Sequence, residues 1–244
     1  MHTIVIKIGG NAATQLTPTF FETIKQWQQQ GKYVVIVHGG GTMISNLMAQ
    51  FNEPVIKKDG IRVTNSTSIE LTKMALIGQV QPQILDQLRQ NNLNAIGLNA
   101  GSAQLLTGSF LNQACYGLVG KIDQVNVKII KTELHNGYIP VISPLAITND
   151  GQWLNVNADQ AATAIAKHLR ADHLYLLTDV SGIKVAGNIL HHITPTLAQE
   201  LEMQSIITGG MIPKVNNALT AVAQGVTTVH ITDHVNTHGT LVTA

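Results

Sequence analysis

Short apolar runs recur along the chain, and several of them end in glycine or polar residues that lead into a stretch with helical spacing. The runs are rich in β-branched residues, which indicates buried strands, and they cover residues 4–8, 33–37, 93–98, 139–142, 173–177 and 227–231. Helical spacing predicts helices at about 17–30, 42–51, 66–90, 126–136, 157–169, 195–206 and 211–224. This alternation predicts an α/β fold, an open αβα sandwich with a mainly parallel central sheet.

Weaker patterns fill the remaining regions. Residues 55–63 alternate around an Asp-Gly pair, which is typical of a two-residue hairpin turn. Residues 103–125 predict short antiparallel strands with turns at Gly108 and Gly117. Residues 240–242 predict a short edge strand close to the end of the chain.

The first apolar run carries one lysine, Lys7, and breaks on Gly9 and Gly10. Charge is costly to hold near a core, so a lysine in this place needs a partner or a ligand. Glycines allow close approach of the backbone and offer N–H groups to an anion, and open α/β sheets bind ligands at the carboxyl ends of their strands. We interpret Lys7 as a ligand-binding residue. The alternative is a lysine that extends to solvent from an edge strand, followed by an ordinary turn.

A second glycine turn, residues 39–41, follows the strand at 33–37 and precedes a helix. Three glycines before a helix bring free N–H groups and the positive end of a helix dipole together, which suits an anion. A simple tight turn between strand and helix is the alternative. His38, directly before the turn, is more simply a hydrogen-bonded neighbour than a metal ligand.

Four further charged residues lie close to predicted strand ends or helix starts and are candidate ligand-binding residues. Each of them also has a simpler structural explanation. Arg62 alternates with apolar neighbours, which on spacing alone is more typical of a solvated strand residue. Asp159 follows Asn157 at a predicted helix start, where capping and the helix dipole explain both residues. Asp179, after the run at 173–177, fits a turn. Lys214 flanks the buried face of the last long helix and, taken alone, fits an ordinary surface lysine.

Composition narrows the classes of function. Only 12% of the 244 residues are charged and the formal net charge is +1, so the chain lacks the basic surface expected for nucleic acid or membrane binding. Aromatic residues make up 4%, too few for base stacking along a nucleic acid strand. The single cysteine, Cys115, excludes an internal disulfide. With no apolar start long enough for a signal peptide or a span, we expect a soluble, cytoplasmic protein.

Taken together, these segments resemble the amino acid kinase family, and within it the N-acetylglutamate kinases. The resemblance covers nearly the whole chain, and its motifs are KIGG at 7–10, HGGG at 38–41, GIRVT at 60–64, NVNADQAATA at 155–164, TDVSGI at 178–183 and GGMIPKV at 209–215. GIRVT followed by NVNAD is the most specific pairing. Asn65, directly after GIRVT, departs from the acidic residue or proline common in this family.

The resemblance implies roles for matching residues in the transfer of the γ-phosphoryl of ATP to the side-chain carboxylate of N-acetyl-L-glutamate. It implies catalytic roles for Lys7, Lys214, Asp159, Gly10 and Gly40, and acceptor binding by Gly40, Gly41, Arg62, Asn155 and Asn157. Nucleotide binding is implied for Lys7, Gly9, Thr178, Asp179, Ser181, Gly182, Gly209, Gly210, Met211 and Lys214. Mg²⁺ would be carried by the ATP phosphates, with no metal ligand from protein side chains. A carboxylate with a pKa of about 4.3 is already ionised at neutral pH, so the reaction needs charge neutralisation and positioning but no general base.

The resemblance also implies two lobes: residues 1–172 for acceptor binding and dimerisation, and 173–244 for ATP. The chain reaches Lys7 without the amino-terminal helical extension of arginine-inhibited hexameric members. We therefore expect a homodimer joined through the helix after Ser66 and no arginine inhibition. Two alternatives stay open: a kinase of the same fold with a different acceptor, and an inactive sensor of nucleotide or metabolite. No G-x-G-x-x-G follows a strand, which argues against a dinucleotide-dependent oxidoreductase.

Overall fold

The computed structural model describes residues 1–9 and 16–243. Its strands are β1 (Thr3–Ile8), β2 (Tyr33–His38), β3 (Lys57–Lys58), β4 (Ile61–Arg62), β5 (Ala95–Leu98), β6 (Leu106–Phe110), β7 (Gly120–Val125), β8 (Ile139–Ile142), β9 (Leu145–Ile147), β10 (Trp153–Asn155), β11 (His173–Leu177), β12 (Lys184–Val185), β13 (Asn188–Ile189), β14 (His192–Ile193), β15 (Thr228–Thr232) and β16 (Thr240–Val242). Its α-helices are α1 (Pro18–Gln29), α2 (Gly41–Gln50), α3 (Ser66–Ala75), α4 (Gln81–Gln90), α5 (Gln113–Tyr116), α6 (Val127–His135), α7 (Ala158–Leu169), α8 (Pro195–Met203) and α9 (Met211–Ala223).

The central sheet has the strand order β14-β16-β15-β11-β1-β2-β8-β5. All neighbouring pairs from β15 to β5 are parallel, whereas β16 runs antiparallel to β15. The predicted α/β fold with a mainly parallel sheet is confirmed. The predicted edge position of β16 is wrong, because the two-residue strand β14 pairs with its outer side and is too short to produce a sequence pattern.

Strand β1 lies in the middle of the sheet, and every one of its residues is buried. Its alternating side chains enter two cores, one on each face of the sheet. Val5 packs in the core beneath α2, α6, α7 and α9, whereas Ile4, Ile6 and Ile8 pack in the core beneath α1 and α4. Helices on both faces of one sheet give the predicted αβα sandwich.

Capping residues and helix-breaking residues in the sequence lie where the helices begin or are interrupted. The Thr17 hydroxyl accepts a hydrogen bond from the Phe20 N–H at the start of α1, and Pro18 takes the first helical position. The helix predicted over 66–90, with an interruption near Gly78 or Pro82, is interrupted by a π-helical turn at Leu76–Val80 that joins α3 to α4. Leu76 belongs to one core and Val80 to the other, so the chain passes from one face of the sheet to the other at this turn.

A second sheet has the order β10-β9-β6-β7 and covers the region with the weak antiparallel pattern. Gly117, predicted at a turn, ends α5 in the connection between β6 and β7 and has a φ of 67°. The turn predicted at Gly108 is wrong, because Gly108 lies inside β6, where the register with β7 shifts. A Cβ at Gly108 would lie 2.2 Å from the Lys121 carbonyl oxygen, so glycine is required for close strand approach.

Across residues 1–9 and 16–243, the helices are all too short or too polar to cross a bilayer.

Candidate active site

Two glycine turns meet at the carboxyl edge of the central sheet. Gly9 follows β1 and Gly39 follows β2, and these two strands are parallel neighbours. The Gly39 N–H donates to the Ile8 carbonyl oxygen at 2.8 Å, which joins the two turns through the backbone. Gly10, expected to contribute a backbone N–H, lies outside the described residues.

Lys7 reaches the space beside these turns together with two residues that are distant in sequence. Its Nζ lies 3.0 Å from Oδ1 of Asp159, and Nζ of Lys214 lies 3.4 Å from Oδ2 of the same carboxylate. Lys214 donates a hydrogen bond. The Lys7 ammonium forms an ion pair with Oδ1 at a distance that also suits a charge-assisted hydrogen bond. One carboxylate therefore holds two ammonium groups.

These three side chains are largely withdrawn from water, with exposed fractions of 11% for Lys7, 16% for Asp159 and 11% for Lys214. Burial alone would raise the pKa of Asp159, but attraction to both ammonium groups outweighs it and lowers that pKa. Burial lowers the pKa of Lys214, an effect that Asp159 and Asp179 oppose. The group carries a net charge of +1 in a region of low solvent access, which favours an anionic ligand.

Asp159 lies at the start of α7 and Lys214 at the start of α9, and the two positions differ in how well they suit the helix. Asn157 caps α7 by accepting hydrogen bonds from the N–H groups of Asp159 and Gln160 at 2.9 and 3.2 Å. Asp159 in the first turn also suits the helix dipole. Lys214 lies in the first turn of α9, where the dipole disfavours a cation, so its place is better explained by Asp159 and a ligand than by helix stability.

Arg62 lies over the start of α2. Its guanidinium donates to the Gly41 carbonyl oxygen at 3.1 Å and to the Ser45 hydroxyl at 2.9 Å, and it contacts the Met48 sulfur at 3.3 Å. The side chain is partly buried, which lowers its pKa. No carboxylate in the described part of the chain forms an ion pair with Arg62. A partly buried guanidinium without an acidic partner suits a carboxylate ligand.

Asn155 is tied to the same region through Thr64. The Asn155 side-chain N–H donates to the Thr64 hydroxyl at 3.1 Å, and that hydroxyl donates to the Arg62 carbonyl oxygen at 3.0 Å. Thr64 is fully buried, and its backbone pairs with Gly117, where a Cβ would lie 2.3 Å from the Thr64 carbonyl oxygen. These contacts fix the position of Asn155 relative to the strand that carries Arg62.

The loop after β11 lies next to β1 and supplies four of the expected nucleotide-binding residues. The Thr178 hydroxyl donates to Asp179, and the Ser181 hydroxyl donates to Asp233. Gly182 has a φ of 149°, and a Cβ there would lie 2.9 Å from Thr240, so the loop is packed against β16.

Gly209 and Gly210 precede α9, as the motif requires. Gly209 has a φ of 55°, and Gly210 takes the cap position without a side-chain hydrogen bond. The Met211 N–H donates to the Thr208 carbonyl oxygen at 3.2 Å and Pro213 has no N–H, so of the first three positions of α9 only Ile212 can offer its N–H to an anion. Met211 begins the helix, three residues before Lys214.

Metal ligands are sparse. The described residues contain no group of three or more His, Cys, Asp or Glu side chains that could hold a metal ion. The Asp159 carboxylate is already shared by two ammonium groups. The described side chains therefore do not form a set of oxygen ligands for a divalent cation on their own.

Several residues that shape the site carry no signal in the sequence. Ser45 and Met48 contact Arg62, and Asp233 binds Ser181, but no local signal marks any of the three. Thr64 lies within GIRVT, yet its pattern gives no reason to expect a bridging hydroxyl.

Comparison with known proteins identifies relatives over the full length. Residues 2–233 match the model of the amino acid kinase family. A Leuconostoc citreum protein named acetylglutamate kinase is 61% identical over 98% of each chain, and the protein of that name from Leuconostoc mesenteroides is 60% identical over 100% of each. A solved crystal structure of a Streptococcus mutans protein superposes with a TM-score of 0.93 at 41% identity, covering 99% of this chain and 98% of that one.

Proposed function

The chain belongs to the amino acid kinase family, and we propose that it is an acetylglutamate kinase that transfers the γ-phosphoryl of ATP to the γ-carboxylate of N-acetyl-L-glutamate. The observation that carries this proposal is the pair of ammonium groups, Lys7 and Lys214, held by Asp159 at the carboxyl edge of the sheet. The name shared by the full-length relatives supports the choice of acceptor. The product, N-acetylglutamyl 5-phosphate, belongs to arginine biosynthesis.

The reaction forms one bond and breaks one. A carboxylate oxygen of the acceptor attacks the γ-phosphorus, the bond from that phosphorus to the bridging oxygen breaks, and ADP leaves with the electron pair. No proton has to be removed, because the attacking carboxylate is already ionised. The difficulty is to bring an anion to a polyanion, so positioning and positive charge supply the catalysis.

The protein's own residues supply that charge from two sides. Lys7, on β1, and Lys214, on α9, face the phosphoryl group in transfer, and Asp159 keeps the two ammonium groups apart from each other and close to the site. The N–H groups of Gly9, Gly40 and, outside the described residues, Gly10 are proposed to bind the phosphoryl oxygens. Each such donor is typically worth about 3–4 kcal/mol of barrier.

The acceptor is proposed to bind between α2 and the strand that carries Arg62. Arg62 would bind the α-carboxylate, exchanging its present hydrogen bond to the Gly41 carbonyl oxygen for a charged partner. Asn155 and Asn157 are proposed to line the same side, and the backbone of Gly40 and Gly41 at the start of α2 is proposed to border the acceptor beside its γ-carboxylate.

ATP is proposed to bind at the loop with Thr178, Asp179, Ser181 and Gly182 and at the start of α9. Gly209, Gly210 and Met211 would border the nucleotide and bring the start of α9, with the Ile212 N–H, toward its phosphates. Mg²⁺, carried by the phosphates, supplies further positive charge when it is bound.

The two lobes expected from the sequence, 1–172 and 173–244, meet between β1 and β11, and we propose that they bind the acceptor and ATP respectively. We further propose a homodimer through the helix that begins at Ser66; Met74 on α3, 53% exposed, supports this face. Sedimentation of the wild type would test this homodimer.

A cytoplasmic location and insensitivity to arginine stay predictions.

A coupled ADP-release assay tests the function, with ATP and Mg²⁺ present and with N-acetylglutamate, aspartate, glutamate or carbamate in parallel wells. Turnover confined to N-acetylglutamate is the expected result. Turnover on another acceptor would keep the phosphoryl-transfer chemistry but reassign Arg62. No turnover in any well, from folded protein that binds ATP, would favour the inactive sensor.

A further inference from the structure

A buried chain of polar side chains ends on the second glycine turn. His38, the last residue of β2, is fully buried, and its Nδ1 lies 3.0 Å from the Gly39 carbonyl oxygen. Its Nε2 lies 3.1 Å from the Ser143 hydroxyl, which in turn lies 3.1 Å from the side-chain nitrogen of Gln81. None of these three side chains has a role in the site described above.

The carbonyl oxygen at one end of this hydrogen-bonded series fixes which nitrogen of His38 carries the proton. A carbonyl oxygen can only accept, so His38 Nδ1 carries the proton and Nε2 is the acceptor. Nε2 then accepts from the Ser143 hydroxyl, whose oxygen lies 3.1 Å from the Gln81 amide nitrogen. The two N–H groups of that amide face three acceptors, because the carbonyl oxygens of Leu98 and Val141 lie at 2.9 Å, so Ser143 shares an N–H with one of these carbonyls. Burial lowers the pKa of His38 to about 4, so the ring stays neutral and keeps this tautomer at physiological pH.

Gln81 stands at the end of this hydrogen-bonded series that is farther from Gly39. It follows the π-helical turn Leu76–Val80 directly, and its side-chain nitrogen also lies 2.9 Å from the carbonyl oxygens of Leu98 and Val141. Those oxygens lie at the carboxyl ends of β5 and β8. One extra residue in this turn rotates the following helix by about 100°, so the π-helical geometry is what directs Gln81 to the strand ends.

At the other end of the hydrogen-bonded series, His38 sets the orientation of the peptide group between Gly39 and Gly40. In a planar trans peptide the carbonyl and the next N–H point in opposite directions, so binding of the Gly39 carbonyl by His38 directs the Gly40 N–H away from the ring. The Gly39 N–H is already held by Ile8. A Cβ at Gly40 would lie 2.5 Å from the Leu76 side chain, so the turn is packed on its apolar side as well. No acceptor in the described residues receives the Gly40 N–H.

We propose that His38 is a positioning residue which, supported by Ser143 and Gln81, holds the Gly39–Gly40 peptide so that the Gly40 N–H faces the transferred phosphoryl group. This inference rests on the proposed function for its ligand, but the geometry of the side-chain relay does not depend on it. His38 does not contact the reacting atoms, and it acts through the backbone alone.

Two substitutions of His38 test the roles of its two ring nitrogens separately. His38→Asn places an amide N–H near the position of Nδ1 and keeps a donor for Gly39, whereas His38→Gln reaches the position of Nε2 and loses that donor. We expect His38→Gln to lower kcat at least about tenfold with little change in either KM, and His38→Asn to recover most of kcat. His230→Asn, another buried histidine but two strands away from β1, is the matched control, and it should lower stability and leave kcat unchanged.

Equal kcat values for the two His38 variants at similar melting temperatures would overturn the proposal. Ser143→Ala gives a second test if His38→Gln does not fold, because it breaks the relay while leaving the ring in place. It should lower kcat in the same direction, and a wild-type kcat would count against the relay.

Nitrogen-15 NMR of the wild type provides a readout independent of turnover. We expect His38 to show the Nδ1–H tautomer and no titration between about pH 5 and 8. The Nε2–H tautomer, or titration near pH 6.5, would contradict the relay. Absence of turnover in the wild type would instead count against the proposed function, so the two failures are distinguishable.

Discussion

Lys7 Nζ lies 3.0 Å from Asp159 Oδ1, and both side chains are more than four-fifths buried. The pair links the middle strand of the sheet to the start of α7, and Lys214 adds a second cation to the same carboxylate. Two positive charges that share one negative charge are unfavourable in a buried site without a ligand, but they suit the binding of a polyanion. The arrangement therefore serves a ligand better than it serves stability.

The first prediction concerns the cation on β1. Lys7→Ala should lower kcat by roughly 10²–10³-fold, as expected for loss of one preorganised charged donor in the transition state. The fold should be kept, because Asp159 retains Lys214 as a partner. Lys131→Ala, at an exposed position on α6, is the control. Turnover close to the wild type in Lys7→Ala would remove Lys7 from the mechanism.

Much of the fold and part of the site could be predicted, because the relevant signals are local. The run at β1, the glycine turns after β1 and β2, and the cap at Asn157 each depend on residues within a few positions. The meeting of Lys7 with Lys214 was expected only from the family resemblance, since the residues lie 207 positions apart in the printed sequence.

Contacts between distant residues could not be predicted. Nothing near Ser143 indicates that its hydroxyl lies between Gln81 and His38, since the three residues come from separate elements. Strand β14 has two residues, fewer than a period-2 pattern needs. Gly108 was interpreted as a turn because glycine is common in turns, whereas a close strand approach decides its place.

The second prediction concerns the acceptor. Arg62→Lys should raise KM for N-acetylglutamate by about 10–100-fold with a smaller effect on kcat, because lysine cannot form the bidentate contact with a carboxylate. KM for ATP should change little. Arg170→Lys, at an exposed position after α7, is the matched control. An unchanged KM for the acceptor in Arg62→Lys would place the α-carboxylate elsewhere.

The third prediction concerns packing behind the second glycine turn. Gly40→Ala should lower kcat by at least about tenfold, because the added Cβ would lie 2.5 Å from Leu76 and 3.3 Å from Val80 and would displace the turn. Its φ of −174° is extended, so contact and not backbone strain is the cause. Gly78→Ala, where nothing lies within 4 Å of the new Cβ, is the control and should keep full turnover. Full activity in Gly40→Ala would show that the turn tolerates displacement.

The last prediction concerns stability in mild acid. Burial lowers the pKa of His38 and of His230 to about 4, below the ordinary value of 6.5. Between these values the unfolded chain binds protons that the folded chain does not, so the free energy of unfolding rises with pH across this window. Each histidine can therefore cost up to roughly 3 kcal/mol of stability as pH falls from about 6.5 to about 4. Asp159, whose lowered pKa acts below its ordinary value of 3.8, contributes nothing to this window.

Urea unfolding at pH 7, 6 and 5 measures the effect. The wild type should lose stability at each step, and His230→Asn should start lower at pH 7 but lose less between pH 7 and 5, because one proton-binding difference is removed. A His230→Asn slope equal to that of the wild type would mean that His230 is protonated in the folded chain. That result would contradict the neutral ring that stacks on Tyr175 at 4.1 Å.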